Sequence, residues 1–160
     1  DYYVKLEGVT KVGYRTISCA GVKDPIMIAD IDNITASVTE RVKNNFENYG
    51  IKNFFLDFKV YGKNGVMGMF ENSEELTGEE LLIIIEAVAA TQEQADTICG
   101  FARSTLLHFG YEGRVSTAGN LAFPFSPSDS KMGEVYEFCV YHLMKVEDPI
   151  KIFPIRYIQF

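Results

Sequence analysis

Two stretches of the chain carry apolar residues at the spacing of an amphipathic helix. The first opens with Asp24-Pro25, an N-cap acid followed by proline at the first helical position, and its apolar positions then recur at intervals of three and four. The second opens at Thr91 with a capping-box pattern and carries a similar stripe. Because a glycine follows each stripe, we predict helices near 25–49 and 91–110, each with one apolar face to bury.

Four further stretches have the composition and periodicity of β-strands. They are residues 14–22, 53–61, 80–88 and 134–146. The second alternates apolar and charged residues, as an edge strand does, whereas the third is almost continuously apolar, as a central strand is. The last carries on one face Tyr136, Phe138, Val140, His142, Met144 and Val146.

The connection between the second and third strands contains Gly62-Lys63-Asn64-Gly65. Its glycines resemble those of a phosphate-binding loop, but the Gly-Lys-Ser/Thr sequence of a P-loop is missing and no helix start follows. Asn64-Gly65 is instead a strong hairpin signal. We therefore predict a tight turn after which the chain continues in extended form.

The order of these elements is β-α-β-β-α-β, which is that of a ferredoxin-like α+β fold with two helices on one face of an antiparallel sheet. Residues 2–12 and 148–160 are then expected as additional strands or arms. The length of 160 residues suits a single domain, 1–160. The chain starts at Asp1 without an initiator methionine, and we expect it to be a fragment of a longer protein.

The charge is strongly acidic, with a formal net value of −7. Between Asn64 and Ala102 there is no Lys or Arg, and this stretch carries Glu71, Glu74, Glu75, Glu79, Glu80, Glu86, Glu93 and Asp96. It is either a solvated acidic edge or a docking face for a basic partner. No basic stripe is present, so we expect no binding of nucleic acid. No apolar run approaches the roughly 18 residues of a membrane span, so we expect no membrane contact.

Three cysteines, Cys19, Cys99 and Cys139, lie far apart among apolar neighbours. This pattern favours buried, reduced thiols in a cytoplasmic protein. No Cys and His residues lie at the spacing of a zinc site, and we expect neither a metal nor a cofactor.

The segment GNLAFPFSPSDS, residues 119–130, differs from the rest of the chain. Its two prolines exclude a central strand, and its serines and acid can hydrogen-bond nearby backbone groups. We predict an ordered loop anchored by Phe123 and Phe125. We also predict that the loop forms a candidate site near His142, with Arg114, Asn120, Ser126, Ser128 and Asp129.

A catalytic triad of Ser126, His142 and Asp129 can be written from this set. However, no Gly-x-Ser-x-Gly elbow surrounds Ser126, and His142 can equally be a hydrogen-bonded structural histidine. The loop is therefore either part of a site or a purely structural connection.

Six segments spread over most of the chain read VKLEG, GVKDP, VYGKNG, RVSTAGNLAFPFSPSD, VYEF and YHL. They begin at residues 4, 21, 60, 114, 135 and 141. In these segments the chain resembles the acyclic terpene utilization AtuA-like family. The resemblance implies a ferredoxin-like C-terminal domain behind a large N-terminal region, in a family associated with the breakdown of branched, terpene-derived acids through acyl-CoA intermediates. It supplies no catalytic residues.

Two functions are compatible with these observations. One is an enzyme part that completes a site for a small carboxylate or its CoA thioester, together with the N-terminal region of the same protein. An anionic CoA ester would then need a local basic patch, for which Lys11, Arg15, Lys59 and Lys63 are candidates. The other is an assembly module that forms a homo-oligomer through its sheet surface, with residues 53–61 as a candidate edge. In both cases we expect the isolated chain to be catalytically silent.

Overall fold

The computed structural model describes residues 1–71 and 78–159. Its strands are β1 (Tyr2–Val22), β2 (Phe55–Tyr61), β3 (Leu81–Ala89) and β4 (Asp129–Val146). Its helices are α1 (Pro25–Ala29), α2 (Ile31–Asn48), α3 (Gln92–Leu107) and α4 (Pro149–Ile152), and a 3-10 helix spans Gly68–Phe70. The predicted α+β class is confirmed. Within the described part of the chain, no helix is long and apolar enough to cross a membrane.

The chain divides into two compact units. One unit comprises residues 13–135, and the other comprises residues 1–12 together with residues from 136 onwards. β1 and β4 each contribute residues to both units. The single domain of residues 1–160 stays a prediction.

The four strands form one antiparallel sheet in the order β2-β3-β1-β4. Ile85 of β3 lies opposite Ser18 of β1 on one side and opposite Phe58 of β2 on the other. The expectation that residues 53–61 form an edge strand and residues 80–88 a central strand is therefore confirmed. The nearly continuous apolar run of β3 reflects its position between two neighbours.

The hydrophobic core of residues 13–135 lies between one face of the sheet and helices α2 and α3. Alternate residues of the strands point to it, among them the fully buried Ala20, Ile83 and Ile85. The helical stripes supply its other side, with Val38 and Ile98 fully buried. Burial of each large aliphatic side chain contributes about 1.5–3 kcal/mol, so the predicted stripes account for the helix positions.

The first predicted helix is wrong in one respect, because the chain breaks at Asp30 into α1 and α2. Asp24 caps α1 as expected, and its Oδ1 accepts from Ile26 N at 2.9 Å and Met27 N at 3.2 Å. Asp30 then leaves the helical region, with φ −111° and ψ 18°, and its carboxylate accepts from Asn33 Nδ2 at 2.6 Å. An acid that bonds locally in this way favours a helix start over a helix interior.

The connection from β2 to β3 is not the predicted tight hairpin. Val60 O accepts from the backbone N–H groups of Lys63, Asn64 and Gly65, which closes a turn at Gly62 with φ +94°. The chain then forms the 3-10 helix instead of continuing in extended form. The turn signal was correct, but the connection reaches to residue 80, and residues 72–77 lie outside the described part.

The ends of the other elements also differ from the prediction. α3 ends at Leu107 with His108 as its C-cap, before the glycine at 110. Residues 2–12 continue β1 and do not form a separate strand. Of the C-terminal arm, Pro149–Ile152 form the short helix α4, in which Asp148 Oδ1 accepts from Ile150 N at 3.0 Å.

Residues 2–12 of β1 and 136–146 of β4 form a two-stranded ribbon within their own unit. Lys5 Nζ lies 4.7 Å from the centre of the Tyr141 ring, and Lys145 Nζ lies 3.3 Å from Asp1 Oδ2. A Cβ atom at Gly8 would lie 3.1 Å from Val140 Cβ. Odd-numbered residues of the two strands therefore share one face of the ribbon, and even-numbered residues share the other.

Candidate functional site

Asn120 is the anchor of the 119–130 loop. It is buried, and its Nδ2 donates to Asp24 Oδ2 and to the Tyr111 hydroxyl, both at 2.6 Å. Tyr111 in turn donates to Asp24 Oδ2 at 2.9 Å, which closes a three-residue network. Asn120 Oδ1 also accepts from Thr117 N at 2.7 Å. The network joins the loop to the start of α1, and in it Asn120 donates two hydrogen bonds through Nδ2 and accepts one through Oδ1.

The network shifts two pKa values in opposite directions. Burial tends to raise the pKa of Asp24, but hydrogen bonds from the backbone of Met27 and Ile26 and from Tyr111 and Asn120 outweigh it and hold that pKa below its usual value. Burial and the adjacent Asp24 carboxylate raise the pKa of Tyr111. Asp24 is therefore held as a carboxylate that caps a helix and holds a loop.

Backbone bonds hold the same loop against the end of β1. Gly119 O accepts from Lys23 N at 2.8 Å and from Asp24 N at 3.0 Å. Gly21 and Ala122 exchange two N–H to O bonds, each of 2.8 Å. The loop is thus ordered, as predicted, through residues at its beginning.

Asp129 is tied to α3 by a two-point ion pair. Arg103 Nε lies 2.7 Å from Asp129 Oδ1, and Arg103 Nη2 lies 3.1 Å from Oδ2. The guanidinium also lies 5.5 Å from the centre of the Phe123 ring. Asp129 and Ser130 belong to β4, so the loop proper ends at Ser128. This arrangement explains Asp129 as a structural partner of Arg103.

The two phenylalanines of the loop behave differently. Phe123 is partly buried and packs against the core, as predicted. Phe125 is half exposed, so the expectation that it anchors the loop is wrong. It lies between Pro124 and Ser126, next to the cis peptide bond Ser126-Pro127.

The other predicted site residues have different surroundings. Arg114 Nη2 donates to Leu107 O at 3.1 Å, and Ser128 uses its backbone oxygen to accept from Ser18 Oγ at 2.9 Å. Ser126 is exposed in the loop. His142 is exposed on the ribbon, in the other compact unit. The grouping of the loop with His142, and the triad built on it, stay predictions.

Several clefts open on the described residues of 13–135, and none of the predicted site residues lines the four considered below. One cleft, of about 610 Å³, lies between β2 and the 3-10 helix and includes Lys59 and Val66. A cleft of about 320 Å³ lies beside the start of the loop, lined by Lys23, Asp24, Pro25, Ile26, Gly113, Val115, Thr117 and Gly119. The other two measure about 480 Å³ and 220 Å³. No group of three or more metal-ligating side chains occurs among the described residues.

The candidate basic patch is neutralised by carboxylates. On the sheet face opposite the helices, Glu86 is buried between Arg15 and Lys59, and Lys59 Nζ also lies 3.2 Å from Asp57. Burial opposes the charge of Lys59, but Glu86 and Asp57 raise its pKa above the usual value. Lys63 pairs with Asp32. Three of the four predicted cations thus have acidic partners within residues 13–135, which leaves them poorly suited to a CoA phosphate.

The acidic stretch is only partly a solvated edge. Glu79, Glu80 and Glu93 are exposed, as that interpretation expects. Glu86 is buried in the ion-paired cluster, and Asp96 accepts from Thr16 Oγ1 at 2.5 Å and pairs with Lys131 at 3.1 Å. Glu74 and Glu75 lie outside the described residues.

The three cysteines are free, but only one is buried as predicted. Cys99 is fully buried in α3, and burial raises the pKa of its thiol to about 12. Cys19 is partly buried and Cys139 is exposed on the ribbon. Apolar neighbours in sequence misled the prediction for Cys139, because a two-stranded ribbon has no second layer to cover it.

Tyr111 and Arg103 hold the loop but were not among the predicted site residues. Asp24 was recognised only as a helix cap. A usable signal existed for Arg103, since it is a cation inside the otherwise apolar stripe of α3 and requires an acidic partner when it is partly buried. Nothing in the local sequence of Tyr111 points to Asp24, which lies 87 positions earlier.

One side of the ribbon is formed almost wholly by uncharged side chains, and we call it the apolar face. It carries the even-numbered residues Tyr2, Val4, Leu6, Gly8, Thr10, Val12, Tyr136, Phe138, Val140, His142, Met144 and Val146. Of its nine large apolar side chains only Val146 is buried, whereas Tyr2 is 67% exposed and Phe138 is 70% exposed. The mixed face, with the odd-numbered residues 3–11 and 137–145, interleaves charged and apolar side chains. The predicted alternation of the last strand is confirmed, and six of the large side chains on the apolar face are exposed.

Comparison of the chain with protein-family models, curated proteins and solved structures finds no match.

Proposed function

We propose that this chain is an assembly domain without catalytic activity of its own, and that the apolar face of the ribbon is its binding surface for protein. The observation that carries the proposal is the exposure of that face. Six of its large apolar side chains, from both strands, are exposed in the free chain. Contiguous apolar surface of this kind is rare on monomeric proteins and is typical of interaction sites.

The architecture of the ribbon favours a binding partner. A two-stranded β-ribbon is marginally stable alone and needs a third strand or a second layer to bury its apolar side. The strict alternation of residues 136–146 gives one face that avoids charge, and alternation of this type arises where one face is meant to be buried. A protein surface laid on the apolar face supplies the missing layer.

The predicted site residues also support a structural role for the loop. The side chain of Asn120 hydrogen-bonds to Asp24 and Tyr111, which holds the loop to α1. The carboxylate of Asp129 binds Arg103, which holds the loop to α3. These contacts account for both residues without a substrate.

The test combines a fluorescent dye that binds exposed apolar surface with substitutions that place a carboxylate on the ribbon. We expect the folded wild-type chain either to associate with itself or to bind the dye, because the apolar face is available. Phe138→Glu should abolish both properties, since it puts a charge in the middle of that face. Leu143→Glu is the matched control, because Leu143 is 63% exposed on the mixed face of the same strand. A wild-type chain that neither associates nor binds the dye would contradict the proposal.

A narrower proposal rests on the resemblance to AtuA-like proteins. In it, the chain is a ferredoxin-like cytoplasmic domain that acts with the N-terminal region of the same protein in the breakdown of branched acids through acyl-CoA intermediates. The strand order β2-β3-β1-β4 and the placement of α2 and α3 on one sheet face support the ferredoxin-like part. The three free cysteines agree with a reducing compartment. The ion pairs of Arg15, Lys59 and Lys63 argue against CoA binding by this chain alone.

Activity measurements decide whether the loop also serves a shared site. The full-length protein is compared with its Ser126→Ala and His142→Ala variants, both at exposed positions. Asp129 is left unchanged, because its loss would break the pair with Arg103 and confuse folding with chemistry. Acyl-CoA turnover that survives both substitutions would exclude the shared site, whereas turnover by this chain alone would refute the assembly role as its sole function.

A further inference from the structure

We infer that the partner of the apolar face is the same face of a second copy of this chain, an inference that rests on the function proposed above. The face has only Thr10 and His142 as polar side chains among its twelve residues, and no Asp, Glu, Lys or Arg. In a two-fold symmetric dimer each residue of a patch meets the same patch on the other copy. A face without formal charges meets itself without like-charge repulsion.

The distribution of charge over the chain favours contact through this unit. Its side chains balance, with five acids (Asp1, Glu7, Glu137, Glu147 and Asp148) against five cations (Lys5, Lys11, Lys145, Lys151 and Arg156). The whole formal charge of −7 therefore belongs to residues 13–135. Two copies repel each other over that acidic unit but not over the ribbon. A neutral face also gives no reason to select a strongly basic or acidic partner.

The exposed apolar side chains of the face supply more than half of the area that a standard dimer interface buries. Fully burying an aromatic side chain removes about 200 Å² from water, and a Val or Leu side chain about 110 Å². We multiply these full areas by the exposed fraction of each of the six exposed side chains. The sum is the area that a dimer would bury on this face, roughly 500 Å² per copy. The six are Tyr2, Tyr136, Phe138, Leu6, Val12 and Val140. A standard interface buries about 800 Å² per partner, and the backbone, Thr10, His142, Val4 and Met144 add to the total.

The mixed face is suited to remain in water when two ribbons stack. Several of its charges have partners within the ribbon, since Lys5 Nζ lies 2.7 Å from Glu7 Oε1 and over the Tyr141 ring, and Lys145 Nζ lies 3.3 Å from Asp1 Oδ2. Stacked sheets lie about 10 Å apart, with the facing side chains forming a dry layer between them. Two ribbons packed through their apolar faces thus leave both mixed faces outside.

Sedimentation velocity over a wide range of concentrations tests the inference on the intact chain. We expect the wild type to be a dimer and Phe138→Glu to raise the dimer dissociation constant at least about 100-fold, because the substitution buries an unpaired carboxylate against apolar groups. Tyr2→Glu, on the other strand of the same face, should act alike. Both positions are well exposed in the free chain, so circular dichroism and thermal unfolding should report an intact fold. Leu143→Glu should remain a dimer.

Dye binding distinguishes two failures. In one, the partner of the apolar face is not a second copy, and in the other the apolar face is not a binding surface at all. A monomeric wild type that binds an apolar dye, with the dye lost in Phe138→Glu, would overturn the second copy as occupant and leave the assembly surface in place. A monomeric wild type that binds no dye would overturn both. A dimer that Leu143→Glu disrupts as strongly as Phe138→Glu would overturn the assignment of the interface to the apolar face.

Discussion

Replacing Asn120 with alanine should destabilise the chain more than any other single change in the 119–130 loop. The side chain is 3% exposed and takes part in three hydrogen bonds, to Asp24, Tyr111 and Thr117. Alanine removes all three at once. It leaves Thr117 N without this acceptor and Asp24 Oδ2 with one side-chain donor, Tyr111.

The expected loss can be worked out from these bonds. A hydrogen bond between neutral groups contributes about 1 kcal/mol to the free energy of unfolding, and one to a charged group about 1.5–3 kcal/mol. The bonds to Thr117 and Tyr111 are of the first kind and the bond to Asp24 is of the second. Since water can partly replace the lost partners, we expect Asn120→Ala to lower the free energy of unfolding by about 3 kcal/mol. For a chain of this length, that corresponds to a fall in the melting temperature of roughly 6–12 °C.

Urea unfolding followed by circular dichroism measures the effect, with Ser128→Ala as the control in the same loop. Ser128 accepts from Ser18 through its backbone oxygen, so truncation of its side chain keeps that bond and should change the free energy of unfolding by less than about 0.5 kcal/mol. The reasoning is refuted if Asn120→Ala loses less than about 1 kcal/mol at an unchanged slope with urea. The network would then not hold the loop.

Three further predictions concern other contacts. Because Asp24 has a lowered pKa in the folded chain, the unfolded chain takes up its proton first, so the free energy of unfolding should fall as the pH drops below about 4. Asp24→Asn should flatten this dependence in urea titrations at a series of pH values, and an unchanged slope would count against the network. Brief alkylation of the folded chain near neutral pH, followed by mass spectrometry, should label Cys139 and spare Cys99. Cys139 is exposed, whereas burial raises the pKa of the Cys99 thiol to about 12. Equal labelling of the two would contradict the burial of Cys99. Gly13→Ala should lower the free energy of unfolding by about 2 kcal/mol, since the new Cβ would lie 2.4 Å from a backbone oxygen, whereas Gly110→Ala, with open space around it, should be nearly neutral.

The sequence predicted the elements whose signals are local. Helical stripes and the capping residues Asp24 and Thr91 located the helices, and apolar alternation located the strands to within a few residues, apart from the N-terminal extension of β1. The break at Asp30 was missed because a short-range bond to Asn33 ends one helix without disturbing the apolar period. The contacts of the loop were missed for a different reason. They join residues far apart in sequence, as Arg103 joins Asp129, and no single-sequence pattern encodes such pairs.

The surface of the ribbon was predicted only in part. The alternation of residues 136–146 was visible in the sequence, but their neighbour, residues 2–12, was expected merely as an extra strand or arm. Periodicity identifies a face that avoids charge and does not say what covers it. Exposure of Phe138 and Cys139 became evident only from the pairing of two strands that lack a covering layer.

The position of β1 beside β4 has a consequence for biosynthesis. The first strand of this chain lies in the sheet next to the last one, and residues 23–128 separate the end of one from the start of the other. Residues 14–22 of β1 can pair with β3 as soon as β3 is made, but residues 2–12 stay without a neighbouring strand until residues 136–146 have been synthesised. During this interval their edge and their tyrosines are open to unintended contacts. We therefore expect the pairing of residues 2–12 with residues 136–146 to form late in the folding of this chain.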